Sequence, residues 1–233
     1  MEYDIEDLKK EIRVALDQNM SSTALSGLED VDTLSLDELI ESKIEDAAVA
    51  VVRSAPLILL YDVGVPLNGD LSIESNRCSL PLPADFLRLL RFKLTSWTYA
   101  IYDVADADSS LYLEVHSPYG VRGNTDRPIA FIVPGEKLEN NVPVPCQIIE
   151  AYSSSGVSDT LDGCLYVKKP TIVGNVDDKG NDDPSDDVTT YSIVLAERLK
   201  RPTVYYAAYL VALAIHEQEV ANSLLSVCNE LMK

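Results

Sequence analysis

Apolar positions recur at spacings of three and four from the start of the chain. Ile5, Leu8, Ile12 and Leu16 fall on one face of a 3.6-residue period and predict a short amphipathic helix. A polar connector, NMSSTALSGLEDVDT, follows. Ser35 then stands three residues before Glu38, the spacing of a capping box. Behind it Leu36, Leu39, Ile40, Ile44, Ala47, Ala48, Val51, Val52 and Ala55 make a wide apolar face, predicting a second helix that Pro56 limits.

From about Tyr61 the period changes. Pro and Gly punctuate short runs rich in Val, Ile, Leu, Thr and Tyr, which is the pattern of strands. Leu90, Phe92 and Leu94 alternate with Arg91 and Lys93, as a half-buried strand requires. Further strands are expected at 79–82, 98–102, 129–133, 147–152 and 161–168, forming a small antiparallel sheet or open barrel. Helical spacing returns near the end, with a short helix expected at 192–199. Pro202 is expected to open the next helix, since its missing N–H is harmless there. Val204, Ala208, Val211 and Ile215 make one stripe, and Val220, Leu224, Val227 and Leu231 a second. The step between the stripes breaks register near His216, which predicts either a bent helix or two helices tightly joined.

The expected fold is therefore α+β. Residues 1–60 and 189–233 form a helical bundle, residues 61–175 a β-rich insertion, and residues 176–188 an acidic flexible loop. The segment 174–187 holds six Asp against one Lys, too little apolar surface to offset its ordering entropy.

Charge narrows the function. Nineteen Lys and Arg oppose 38 Asp and Glu in 233 residues, a net charge of −19. Free affinity for duplex DNA rests on cations that neutralise phosphates, so this balance argues against it, and equally against docking on an anionic membrane. No apolar run nears the roughly 20 residues of a membrane span, and the acidic amphipathic N-terminus does not read as a signal peptide. The four cysteines lie far apart without a CxxC pair, and buried free thiols are expected.

Chemistry is sparse. His116 and His216, the only two histidines, have no neighbour at the spacing of a triad or metal site, so each reads as a surface or turn residue. Asp103, Asp106 and Asp108 resemble a carboxylate loop, yet they lack the Gly and distal Glu of an EF-hand. Gly120 with Gly123, and Gly174 with Gly180, are glycine pairs without the Lys-Ser/Thr of a P-loop. Neither cofactor nor catalysis is expected. Tyr205, Tyr206 and Tyr209 cluster on the penultimate helical stretch, where core packing and a protein interface are both open readings.

Four segments carry a resemblance. Ser79-Leu-Pro-Leu-Pro-Ala-Asp-Phe-Leu-Arg-Leu-Leu90 resembles a segment of the head-to-tail adaptor proteins of short-tailed phages, the tail tubular protein A or connector family. Arg122-Gly-Asn-Thr-Asp-Arg-Pro-Ile-Ala-Phe131 is similar to their middle region, and Tyr206-Ala-Ala-Tyr-Leu210 with Asn229-Glu-Leu231 to their closing helix pair. The likeness follows element order over most of the chain and motifs over about 40 residues. It implies a structural virion protein rather than an enzyme, assembled in the host cytoplasm and placed at the head–tail interface. Such adaptors form a homo-dodecameric ring under the portal protein, extend the DNA channel without sequence-specific binding, and carry downstream tail or ring proteins. The interface residues expected on this reading are Tyr205, Tyr209, Leu224, Leu225, Leu231 and Met232. Family members often extend beyond the last helix, whereas this sequence stops at Lys233. The alternatives are another neck or tail ring, or a generic protein-interaction module, and a metal-dependent hydrolase using the Asp loop.

Overall fold

Helix signals at both ends of the chain and strand signals between them produce an α+β protein. The computed structural model describes residues 1–16, 35–74, 77–102, 104–106, 108–117, 123–139, 142–153, 159–177 and 188–233. They divide into two compact units, one of Met1–Val63 with Lys169–Lys233 and the other of Gly64–Lys168.

In the first unit, β1 (Glu2–Asp4) leads directly into α1 (Ile5–Ala15), whose first turn is capped by the Asp4 carboxylate accepting from Glu6 N–H at 2.7 Å. α2 (Leu36–Ser54) opens with the expected capping box. Ser35 N–H donates to Glu38 Oε2 at 2.8 Å, and Glu38 N–H returns a bond to Ser35 Oγ at 3.3 Å. It ends where Ala55 turns extended ahead of Pro56, whose ring disfavours a helical predecessor. β10 (Ile172–Asp177) and β11 (Val188–Val194) pair antiparallel, and β1 adds to the other edge of β11. α4 (Lys200–Ala214) and α5 (Gln218–Leu231) complete the unit. One hydrophobic cluster joins Ile5, Leu8 and Ile12 of α1, Ile40 and Ile44 of α2, Ile193 of β11, Val204 and Val211 of α4, and Leu224 of α5.

Three expectations for this unit change. The run 192–199 is not a helix: its first residues end β11, and only Glu197–Leu199 forms a 3₁₀ turn before α4. The β-branched series Val-Thr-Thr-Tyr-Ser-Ile-Val suits a pleated strand, and pairing on both edges secures it. Val176 and Asp177, expected in the acidic loop, pair with Thr189 and Val188, because ladder hydrogen bonds use backbone and tolerate polar side chains. Residues 178–187 of that loop lie outside the described residues. Pro202 sits in the third position of α4 rather than the first, still within the turn whose N–H groups lack helical partners.

The register break near His216 is a joint between two helices. Glu217 N–H reaches back to Ala212 O at 2.9 Å and His216 N–H to Leu213 O at 3.1 Å, the paired bonds of a Schellman motif. That motif requires a left-handed residue, and His216 supplies it at φ 64°. Glycine reaches this region without a Cβ clash, so His216→Gly should raise stability by about 0.5–1 kcal/mol, read as a higher thermal midpoint. His216→Val should lower it.

The second unit contains β2 (Val65–Pro66), β3 (Ser72–Glu74), β4 (Arg77–Pro81), β5 (Phe86–Arg91), β6 (Ala105–Asp106), α3 (Ser110–His116), β7 (Ala130–Glu139), β8 (Val142–Ala151) and β9 (Leu165–Lys168). They form a sheet of order β2-β9-β5 and another of order β3-β4-β8-β7-β6. Every pairing is antiparallel except β6 with β7. Leu80, Leu82, Phe92, Leu94, Trp97 and Ile149 fill the main core. Leu90, Phe92 and Leu94 are buried between less buried Arg91 and Lys93, as their alternation predicts. Residues 98–102 do not form a strand. Ile101 makes only a single bridge to Phe92, and Tyr99 and Tyr102 on either side of it are exposed. Residues 61–63 and 169–175, expected in the β-rich insertion, belong to the first unit. Among the described residues, no helix is long and apolar enough to cross a membrane.

Candidate functional site

The segment 79–90 makes the corner between the two sheets of the second unit. Its first residues lie in β4, Pro83 O accepts Phe86 N–H at 3.0 Å across the turn, and the chain continues as β5 in the other sheet. The polar and aromatic residues of the turn both grip β9. Asp85 accepts the Tyr166 hydroxyl at 3.0 Å and pairs with Lys168 at 3.1 Å, while Phe86 stacks on the Tyr166 ring with centroids 5.8 Å apart. Burial alone would push the Asp85 carboxyl up, but the bonds from Lys168 and Tyr166 outweigh it and hold it below its ordinary value. A carboxyl lowered in the folded state contributes stability above its ordinary value and loses it as pH falls through the folded one. Thermal midpoints of wild type and Asp85→Asn should therefore differ at neutral pH and converge as the pH falls below the ordinary aspartate range.

The second resemblance segment is also a turn. Asn124 Oδ1 accepts from the N–H groups of Asp126 at 3.0 Å and Arg127 at 2.8 Å, and Thr98 Oγ1 donates to Asp126 Oδ1 at 2.7 Å. Gly123 packs so closely that a Cβ there would stand 2.1 Å from Ser153 Oγ. That hydroxyl accepts Ile129 N–H at 2.9 Å, and Ser153 O takes the Trp97 indole N–H at 2.8 Å. Arg122 lies outside the described residues.

A third cluster was not anticipated from the sequence. Arg77 of β4 bonds Glu150 of β8, whose other oxygen accepts the Tyr152 hydroxyl at 2.6 Å. The same hydroxyl stands 2.8 Å from His116 Nε2. His116 Nδ1 lies 2.8 Å from the Tyr112 carbonyl, which can only accept, so Nδ1 carries a proton. Tyr112 and Tyr152 meet Phe131 edge-on, at 5.1 and 5.9 Å between centroids. Burial, followed by the Glu150 carboxylate that the hydroxyl serves, raises the Tyr152 pKa above its ordinary value. The contacts hold α3 against the sheet through His116 and Tyr112. Tyr152→Phe should lower stability by about 1–3 kcal/mol in urea titrations, because buried Glu150 loses a donor. His116, expected as a surface or turn residue, is exposed and still part of this cluster.

The residues expected at an interface fare differently. Leu224 is 5% exposed and belongs to the core of the first unit, so it is unavailable to a partner. Its position one turn from Ala221 and Cys228, both buried, faces it inward. Tyr205, Tyr209, Leu225 and Met232 are half-buried, and Leu231 is exposed. The aromatic contact on α4 is Tyr206 with Tyr209, centroids 5.3 Å apart, whereas Tyr205 faces a groove beside α1. Asp103 lies outside the described residues and Asp108 is exposed. Among the described residues, no group of three or more His, Cys, Asp or Glu could hold a metal ion. All four cysteines are free, with Cys78, Cys164 and Cys228 buried. No protein-family model matches the chain, and no curated protein matches it.

Proposed function

We propose that this protein is a structural virion component, a head–tail adaptor that forms a closed ring on the portal protein and extends the DNA channel toward the tail. The carrying observation is the corner at residues 79–90. Its Asp85 and Phe86 lock β5 to β9 through Tyr166, which gives the adaptor-like segment a structural purpose. The element order supports the same reading, with a β-rich unit inserted between terminal segments that fold together. The charge is compatible with it. A surface at −19 per chain repels phosphates, so DNA passes without being held.

That charge also shapes assembly. Like-charged subunits repel as they approach, with screening over about 8 Å at physiological ionic strength. A portal ring offers symmetric docking sites and high local concentration, which lowers the barrier to closure. The chain alone at low salt is expected to be mainly monomeric by light scattering, and to co-sediment with purified portal. A stable free ring at low salt would remove the templating step, and absence of co-sedimentation would remove the adaptor reading.

A further inference from the structure

Two unmatched surfaces of the first unit complement each other. The first is a groove of about 480 Å³ between α1 and α4, with Val14, Val204 and Tyr205 among its lining residues. Val14 is 78% exposed on the rim of the groove. Of the charged residues at the groove, Glu11 is bound to Lys200 at 2.5 Å and Lys10 to Asp7 at 2.9 Å. Arg201 has no ionic or hydrogen-bonding partner among the described residues. A free cation beside bare apolar surface stands out in a chain with twice as many acids as bases.

The second surface is an exposed flank of α5. Its buried side carries Ala221, Leu224 and Cys228, and Cys228 Sγ donates to Pro202 O at 3.4 Å, so that side is committed to the core. The flank adjoining it, three residues on from Leu224 and Cys228, exposes Val227 and Leu231, each 37% accessible and one turn apart. Glu230 lies beside them, exposed and, like Arg201, without a side-chain partner among the described residues.

We infer that the α1/α4 groove receives this exposed flank of α5 from a neighbouring copy, with Val227 and Leu231 against Val14 and Tyr205, and Glu230 against Arg201. The inference rests on the ring reading above and names its subunit contact. Charge selects the occupant. A groove presented to another groove would oppose two arginines, and α5 presented to α5 would oppose two glutamates. Groove to α5 is the pairing that neutralises both. Built head to tail, as the ring reading requires, an open row of copies keeps one free groove at one end and one free α5 at the other, and the row ends when the ring closes.

The test places a photo-reactive phenylalanine analogue at position 14 of the full chain, in the presence of purified portal, and maps the crosslinks. Crosslinks from position 14 to residues 227–231 of a second copy are expected. Arg201→Glu should cut their yield by about tenfold or more, and adding Glu230→Arg should restore it. Both positions are exposed, and unchanged thermal midpoints will show that the variants fold. Closed rings with crosslinks to any other site, on the same chain or another, overturn this contact and leave the adaptor reading standing. Failure of wild type to form any ring overturns both.

Discussion

Deletion of residues 202–233 is expected to unfold α1 and α2 as well as removing α4 and α5. The N-terminal helices have no core of their own. Ile5, Leu8 and Ile12 on one and Ile40 and Ile44 on the other are buried in a cluster that Val204, Ala207, Ala208, Val211 and Leu224 complete. α1 has 11 residues, below the roughly 12–15 at which an isolated helix becomes even marginal in water. Each large apolar side chain removed or uncovered forfeits about 1.5–3 kcal/mol, against a total stability of about 5–15 kcal/mol for an ordinary domain. Circular dichroism of the truncated chain should show loss of the helical signal from residues 1–60. A 1–60 fragment that stays helical and resists protease would refute the shared core.

Phe92→Ala should be the most damaging single substitution in the second unit. Phe92 is fully buried and meets Trp97 edge-on at 5.5 Å between centroids. Its backbone N–H and C=O both bond Ile101, at 2.8 Å each, so the side chain sits where two segments are tied. Removing a buried phenyl ring costs about 3–5 kcal/mol, through lost transfer energy and the cavity left behind. Trp97 is the protein's one tryptophan, so its fluorescence reports this core directly. The urea midpoint followed by that fluorescence should fall sharply. A loss below about 1 kcal/mol would mean that the core collapses around the gap or that the ring is not central.

Periodicity exposed α1 and α2 because their apolar stripes are regular and capped, whereas α3 carried no such signal. Ile5, Leu8, Ile12 and Leu16 repeat with the helical period, Ser35 with Glu38 marks a start, and Ala55 before Pro56 marks a stop. Strands were harder where they are short or where their partners are distant in sequence. β1 is three residues long and pairs with residues 192–194, a relation no local pattern announces. The run 192–199 reads as a helix because Ile193, Ala196 and Leu199, all buried, stand three residues apart, although Ile193 belongs to β11. The candidate site divides in the same way. Asp85 and Phe86 drew attention through the resemblance of their segment, but their grip on Tyr166 and Lys168 is a tertiary fact. The Arg77–Glu150–Tyr152–His116 chain gave one local hint, since residues 150 and 152 share a strand face. In a chain rich in acids, nothing marks Glu150 as the buried one.

Electron microscopy of the full-length chain mixed with purified portal rings tests the adaptor account most directly. The account predicts a closed ring with the portal's own symmetry, seated coaxially on one end of the portal and continuing its channel. Portal particles without added density, at chain concentrations where crosslinking finds no contact between the two, would contradict it.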